Sequence, residues 1–154
     1  SLTRIITGKY LAAAAVLLIG ILLTNVCTLV MGMYGTVYAG EWFVGYLGLT
    51  LQGLAFLALD MLVTVFTKNQ ISATVAAFAA NFLLWVLDML TGQAGLAALA
   101  GALNFVSLYK RYEPFILGQF SFASTLYFIT FILLCITATV RVMDARRFAA
   151  GGAA

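Results

Sequence analysis

The sequence predicts an all-α membrane protein with four transmembrane helices and short interfacial or re-entrant helices before the last of them. Of its 154 residues, 64% are hydrophobic and 8% are charged, whereas soluble domains carry about 25% charged residues. The apolar runs do not alternate as β-barrel strands would, and the only charge inside them is Asp60. A helix needs about 20 residues to cross the hydrocarbon layer. Four apolar runs supply this length: Tyr10–Met33, Phe43–Phe66, Ile71–Leu87 and Ser121–Val140. The third of them does so once it is extended to Leu90.

The first two predicted spans cover about residues 9–33 and 43–66. A short outer loop containing several glycines, Glu41 and Trp42 joins them. The second span opens with Gly45 and Gly48, two residues that permit the close approach of another helix. We therefore expect tight helix packing at the beginning of this span.

The third and fourth predicted spans cover about residues 71–90 and 121–141. Only the polar turn Thr67–Gln70 separates the second span from the third. Because this turn is so short, the second and third spans must form an antiparallel hairpin. The third span also carries a face of small residues suited to close packing, formed by Ala73, Ala76, Ala77 and Ala80.

The stretch before the last span differs from the others. Leu96–Val106 is apolar but has about half the length of a crossing, and the charged segment that follows it cannot lie in lipid. We expect one or two short outer helices over about residues 95–118, broken at Pro114. This segment is either an outer gate that lines a pathway or an ordinary amphipathic surface loop. The candidate pathway residues in it are Tyr109, Tyr112, Glu113 and Gln119.

The basic residues are distributed unequally between the two sides of the membrane. Four crossings place six of them on the side of both termini and two, Lys110 and Arg111, on the other. An excess of Lys and Arg marks the cytoplasmic side, so we expect a multi-pass protein of the plasma or inner membrane with both termini in the cytoplasm. The expected partner of this basic side is the lipid bilayer, and no nucleic acid is expected. The six residues are Arg4, Lys9, Lys68, Arg141, Arg146 and Arg147.

Asp60 is the one charged residue inside the four apolar runs Tyr10–Met33, Phe43–Phe66, Ile71–Leu87 and Ser121–Val140. A central Asp costs about 2.5–3.5 kcal/mol on insertion, and the thirteen Leu, Phe and Val residues of the second span return roughly 4–8 kcal/mol. The span therefore inserts with Asp60 facing other helices or water. Asp60 is either a substrate or proton site, or an internal hydrogen-bond anchor with Thr64 as a local partner. Three amides, those of Asn25, Gln52 and Asn81, are expected to bridge helices.

Several kinds of chemistry lack their residues in this sequence. It has no histidine, and its two cysteines, Cys27 and Cys135, have no CxxC context. The sequence also lacks a GxSxG motif and a P-loop lysine signature. We therefore expect no enzymatic activity, no cofactor and no metal site, and both cysteines should be small apolar packing residues.

Several motifs extend, in a characteristic order and spacing, across nearly the whole chain. They are Gly8-Lys9-Tyr10, Gly45-Tyr46-Leu47-Gly48, Thr67-Lys68-Asn69-Gln70, Tyr112–Phe115 with Gly118, Phe120–Phe122, Tyr127-Phe128, and the terminal Thr139–Arg141 and Asp144–Phe148. Taken together, they resemble the permease subunit of type-2, exporter-class ABC transporters. Within that family the pattern is most similar to gliding-motility-associated and nitrous-oxide-type permeases.

The resemblance implies a permease of six spans with short outer helices between the fifth and the sixth. Two such subunits pair around a pathway and dock on two cytoplasmic ATPase subunits, which hydrolyse the ATP. This chain would supply the last four of the six spans. It is then either a fragment, with the first two spans and the coupling helix before Ser1, or a divergent four-span relative. Asp60 would belong to the inner pathway and Tyr109–Gln119 to the outer gate.

Two other functions remain open from the residues alone. One is a small homo-oligomeric secondary transporter that uses Asp60 for proton coupling. The other is a membrane scaffold that transports nothing and holds partner proteins through its apolar helices.

Overall fold

The computed structural model describes residues 2–90 and 107–151. These residues form helices and connecting turns, with no strand among them. Four of the helices are long and apolar enough to cross a membrane, which confirms the predicted all-α membrane fold. The helices are α1 (Leu2–Tyr34), α2 (Ala39–Thr64), α3 (Gln70–Leu90), α4 (Leu108–Ile116) and α5 (Phe122–Gly151).

The four long helices overlap the predicted spans; α2 begins four residues early, at Ala39, and α1 and α5 extend further still. α1 begins seven residues before the predicted start of its span, at Leu2 rather than residue 9, and α5 continues past residue 141 to Gly151. The added residues contain no proline, so nothing in them forces the helix to stop. α2 and α3 are joined by residues 65–69 and contact each other, as the predicted hairpin requires.

α2 lies at the centre of the bundle and contacts each of the other four helices. Its buried residues, Gly48, Ala55 and Ala58, are all small, which allows neighbouring helices to approach closely. α5 packs along α2 with one face, whose buried residues recur at helical spacing. That face consists of Ser124, Phe128, Cys135 and Thr139.

Two small clusters of buried side chains lie along α2. The outer cluster contains Ala55, Leu108, Phe115 and Phe128, and it joins α2, α4 and α5. The inner cluster contains Tyr10, Ala58 and Cys135, and it joins α1, α2 and α5. Cys135 is thus a packing residue, as predicted. Cys27 is exposed on α1, so the same prediction was wrong for it.

The short helix α4 packs against the first half of α2, where Gly48 leaves room for it. A Cβ atom at Gly48 would collide with the Phe115 side chain and lie 3.1 Å from Tyr112 Cε2. A Cβ atom at Gly45 would lie 3.8 Å from the Phe115 carbonyl oxygen. The expected close helix approach is therefore found at these two glycines, and the approaching helix is α4.

The sequence predicted a helix break at Pro114, and this prediction was wrong. Pro114 lies inside the helix, which ends at Ile116. The signal that ends it is Gly118, whose φ of +70° is favourable only for glycine. The Gly118 N–H donates to the Phe115 carbonyl (3.1 Å) and the Gln119 N–H to the Pro114 carbonyl (2.8 Å), which is a Schellman motif. The rest of the predicted outer helices, residues 95–106, lies outside the described residues.

The contact at Gly48 predicts a large effect of a very small substitution. Gly48→Ala should lower the free energy of unfolding by about 1–3 kcal/mol, because the added methyl group overpacks the contact between α2 and α4. The measurement is a denaturant titration of the purified protein in detergent. Gly20→Ala is the matched control, since a Cβ at Gly20 meets nothing within 4 Å. Equal stability of the two variants would contradict the described packing of α4.

Candidate functional site

The strongest candidate inside the membrane is a polar pair between α2 and α3. Asp60 is half-buried on α2, and its Oδ1 accepts a hydrogen bond from Asn81 Nδ2 on α3 at 2.9 Å. The other amide atom, Asn81 Oδ1, is buried and has no hydrogen-bond partner. The expectation that Asn81 bridges two helices is confirmed.

Two other expectations about polar partners were wrong. Thr64 does not bond Asp60, because its Oγ1 donates to the Met61 carbonyl at 2.8 Å within the same helix. Asn25 likewise donates to its own helix, to the Ile21 carbonyl at 3.0 Å. Gln52 lines a small cavity next to Gly53. A polar side chain can always reach carbonyls three or four residues earlier in its own helix, so hydropathy does not reveal which groups reach across.

The candidate residues of the outer segment lie on or directly after α4. Tyr109 is 49% exposed, and Glu113 and Gln119 are also exposed. Tyr112 packs against the outer cluster. α4 meets α2 at Gly48, twelve residues before Asp60 and so about 18 Å away along the helix. The structure therefore places Asp60 and the outer residues at two separate sites.

The Tyr112 hydroxyl is affected by the packing of α4. Burial raises the pKa of Tyr112 above its ordinary value, and the neighbouring Tyr109 adds to the effect. The uncharged phenol is therefore the form that fits this contact. Arg111 directly precedes Tyr112 in α4, and its guanidinium lies 5.1 Å from the centre of the Tyr127 ring on α5. α4 thus contacts α5 through a cation–π interaction.

A large open cavity, which the sequence did not predict, lies between α1 and α2. Its volume is about 1070 Å³, just above the range of about 300–1,000 Å³ for small-molecule sites. The Thr28 and Tyr46 hydroxyls, which lie in its wall, are hydrogen-bonded to each other at 2.8 Å. None of the predicted site residues lines it. Its lining is mostly apolar, with the polar side chains of Asn25, Thr28, Tyr46 and Thr50.

At the basic end of the bundle, Arg146 of α5 contacts the end of α2. Its guanidinium donates a hydrogen bond to the Val65 carbonyl and lies 5.5 Å from the centre of the Phe66 ring. The last turn of α2 has no basic residue of its own. Arg146 therefore supplies the positive charge that stabilises a helix C-terminus, and it supplies it from another helix.

The titratable residues of the described part of the chain do not gather into a metal site. No group of three or more His, Cys, Asp or Glu side chains lies close enough together there to hold an ion.

The contact of Arg146 predicts a local effect. Arg146→Ala should lower the free energy of unfolding by about 0.5–1 kcal/mol, because both the hydrogen bond and the exposed cation–π interaction are lost. Hydrogen exchange of the turn at residues 65–69 should become faster. The exposed neighbour Arg147 provides the control: Arg147→Ala removes the same charge and should leave exchange in this turn unchanged. Equal exchange in both variants would show that the contact does not hold the turn.

Comparisons with family models, curated proteins and solved structures found no match for this chain.

Proposed function

We propose that the chain is a membrane-spanning permease subunit of an ABC exporter, driven by a partner ATPase. The observation that carries the proposal is the position of α4. A short helix precedes the last span and packs on α2, and the resemblance implies short outer helices at this point of the chain, before the last span. The four long apolar helices provide the membrane-spanning part.

The packing of α4 supports a role as an outer gate. Phe115 of α4 lies against Gly48 of α2 and 6.5 Å, ring to ring, from Phe128 of α5. Its side chain is fully buried between these helices. Because close-packed side chains transmit displacement rather than absorb it, a shift of α2 against α5 moves α4 as well.

The opposite end of the bundle would receive the motion of the ATPase. Arg146 ties α5 to the end of α2, next to the turn that begins α3. The six basic residues predicted on one side belong to this end, and the positive-inside rule makes it the cytoplasmic one. A cytoplasmic ATPase subunit would dock at this end, and a second permease subunit would complete the pathway. In this proposal the protein resides in the plasma or inner membrane, and both termini lie in the cytoplasm.

A second function is favoured by one observation, the Asp60–Asn81 pair within the bilayer. A homo-oligomeric secondary transporter could couple transport to protons through this carboxyl group, because intramembrane carboxylates commonly mark ion or proton pathways. It requires no ATPase partner, which separates it from the first proposal.

Co-purification with an ATPase tests the proposed function. The full chain is co-expressed with candidate ATP-binding cassette proteins from the same genome, and both are reconstituted in liposomes. We expect the two to co-purify and the ATPase rate to rise several-fold over that of the cassette protein alone. Gly48→Ala should lower this stimulation, whereas the control Gly20→Ala should retain it.

Three outcomes would contradict the proposal. ATP hydrolysis by the purified chain without its partner would make it an enzyme rather than a permease. Transport driven by a proton gradient without ATPase would establish the secondary transporter. A stable complex with no stimulation and no flux would leave the scaffold function.

A further inference from the structure

The Asp60–Asn81 pair is chemically incomplete as it stands. One hydrogen bond joins the two groups, from Asn81 Nδ2 to Asp60 Oδ1 at 2.9 Å. The amide oxygen of Asn81 is buried without a partner. A buried polar atom is normally hydrogen-bonded, and lipid offers it no alternative donor. The unpaired oxygen therefore indicates that a donor is missing at this position.

The missing donor can come from Asp60 itself. An ionised carboxylate only accepts hydrogen bonds, so it cannot pair with the Asn81 oxygen. A protonated carboxyl group has one O–H donor and one carbonyl acceptor. These match the oxygen and the N–H of a primary amide, and the two groups can then form two parallel hydrogen bonds. A single proton thus provides the missing donor and removes the buried charge.

Among the described residues, the side chain hydrogen-bonded to Asp60 is the uncharged Asn81, and no cation compensates a charge on this carboxyl group. On the α1 and α5 sides, Tyr10 and Cys135 cluster with Ala58 on a different face of α2, and Lys9, next to Tyr10, is exposed. Tyr10 uses its hydroxyl to bond the Leu54 carbonyl.

The remaining titratable groups of the packed helices lie towards the helix ends. In α3, the one such residue is seven positions beyond Asn81 in sequence. Those of α4 lie at the outer end of α2 together with Tyr127 of α5, and the charged residues of α5 lie on the side of Val65. They are Arg4, Lys9, Cys27 and Tyr34 in α1, Asp88 in α3, Tyr109, Lys110, Arg111, Tyr112 and Glu113 in α4, and Tyr127, Arg141, Asp144, Arg146 and Arg147 in α5.

We propose that Asp60 and Asn81 form a proton-binding site that holds one proton at neutral pH as a neutral acid–amide pair. In this pair the Asp60 O–H donates to Asn81 Oδ1, and Asn81 Nδ2 donates to the Asp60 carbonyl oxygen. The proton comes from water, and binding it breaks no covalent bond. Its loss leaves one hydrogen bond, an unpaired amide oxygen and a charge between α2 and α3. The contact between these helices therefore depends on the proton, whichever transport function the chain has.

Infrared spectroscopy of the full chain in lipid nanodiscs tests the site directly. Carboxyl-¹³C labelling of aspartate isolates the bands of the three aspartates. At neutral pH we expect one band of a protonated, hydrogen-bonded carboxyl group, lost in Asp60→Asn. Asn81→Leu should shift this band to higher frequency, because the carboxyl group loses its amide partner. Gln52→Leu, which removes another half-buried amide of α2, should leave the band in place.

The pH dependence of stability gives a second readout. A proton that binds more tightly to the folded state than to the unfolded state stabilises the folded state at low pH. This stabilisation is lost as the pH rises through the value at which the folded state releases the proton. The thermal unfolding midpoint of the wild-type chain should therefore fall over the same pH range in which the infrared band of the protonated carboxyl group disappears. In Asp60→Asn, whose amide pairs with Asn81 without a proton, this fall should be absent. The absence of an Asp60-dependent carboxyl band at neutral pH, or a band that Asn81→Leu does not move, would overturn the proposal.

Discussion

The close approach of α4 to α2 at Gly48 is the constraint on which the outer half of the structure depends. Because Gly48 has no side chain, Phe115 can lie directly against the α2 backbone. From that position its ring also meets those of Phe120 and Phe128. Gly118 then turns the chain sharply enough to start α5 within a few residues. The course of the chain from α4 into the last span thus follows from two glycines.

The polar contacts of the bundle follow from the lack of water in the bilayer. Lipid cannot satisfy a hydroxyl, an amide or a carboxyl group, so each must find its partner in the protein. α2 provides partners on three sides. The Leu54 carbonyl accepts from Tyr10 of α1, Asp60 accepts from Asn81 of α3, and the Val65 carbonyl accepts from Arg146 of α5. Helices that share no large hydrophobic driving force in lipid are joined here by single hydrogen bonds and small residues.

Length and hydropathy were sufficient to predict the four spans, because crossing a bilayer imposes a minimum apolar length that few other structures need. They were insufficient for contacts between helices. Asp60 selects Asn81, 21 positions away, over Thr64 on its own helix, and this choice depends on how α2 is rotated against α3. The same limit applies to the cavity beside Tyr46, because its lining comes from both α1 and α2. Pro114 was overrated as a helix breaker because the stop at Gly118 requires a positive φ that sequence patterns do not show.

The attachment of the helices to α2 is unequal, and this sets which parts can move relative to each other. α5 has buried residues on one face from Ser124 to Thr139. α1 has buried residues only in its first half, from Ile6 to Ala14. Beyond them the Thr28–Tyr46 hydrogen bond crosses to α2 in the wall of the cavity. Regions with few buried contacts separate at lower free energy than packed ones. The second half of α1 and α3, which has no buried residue among those described, are therefore the parts of the bundle that separate most readily, whereas α2, α4 and α5 move together.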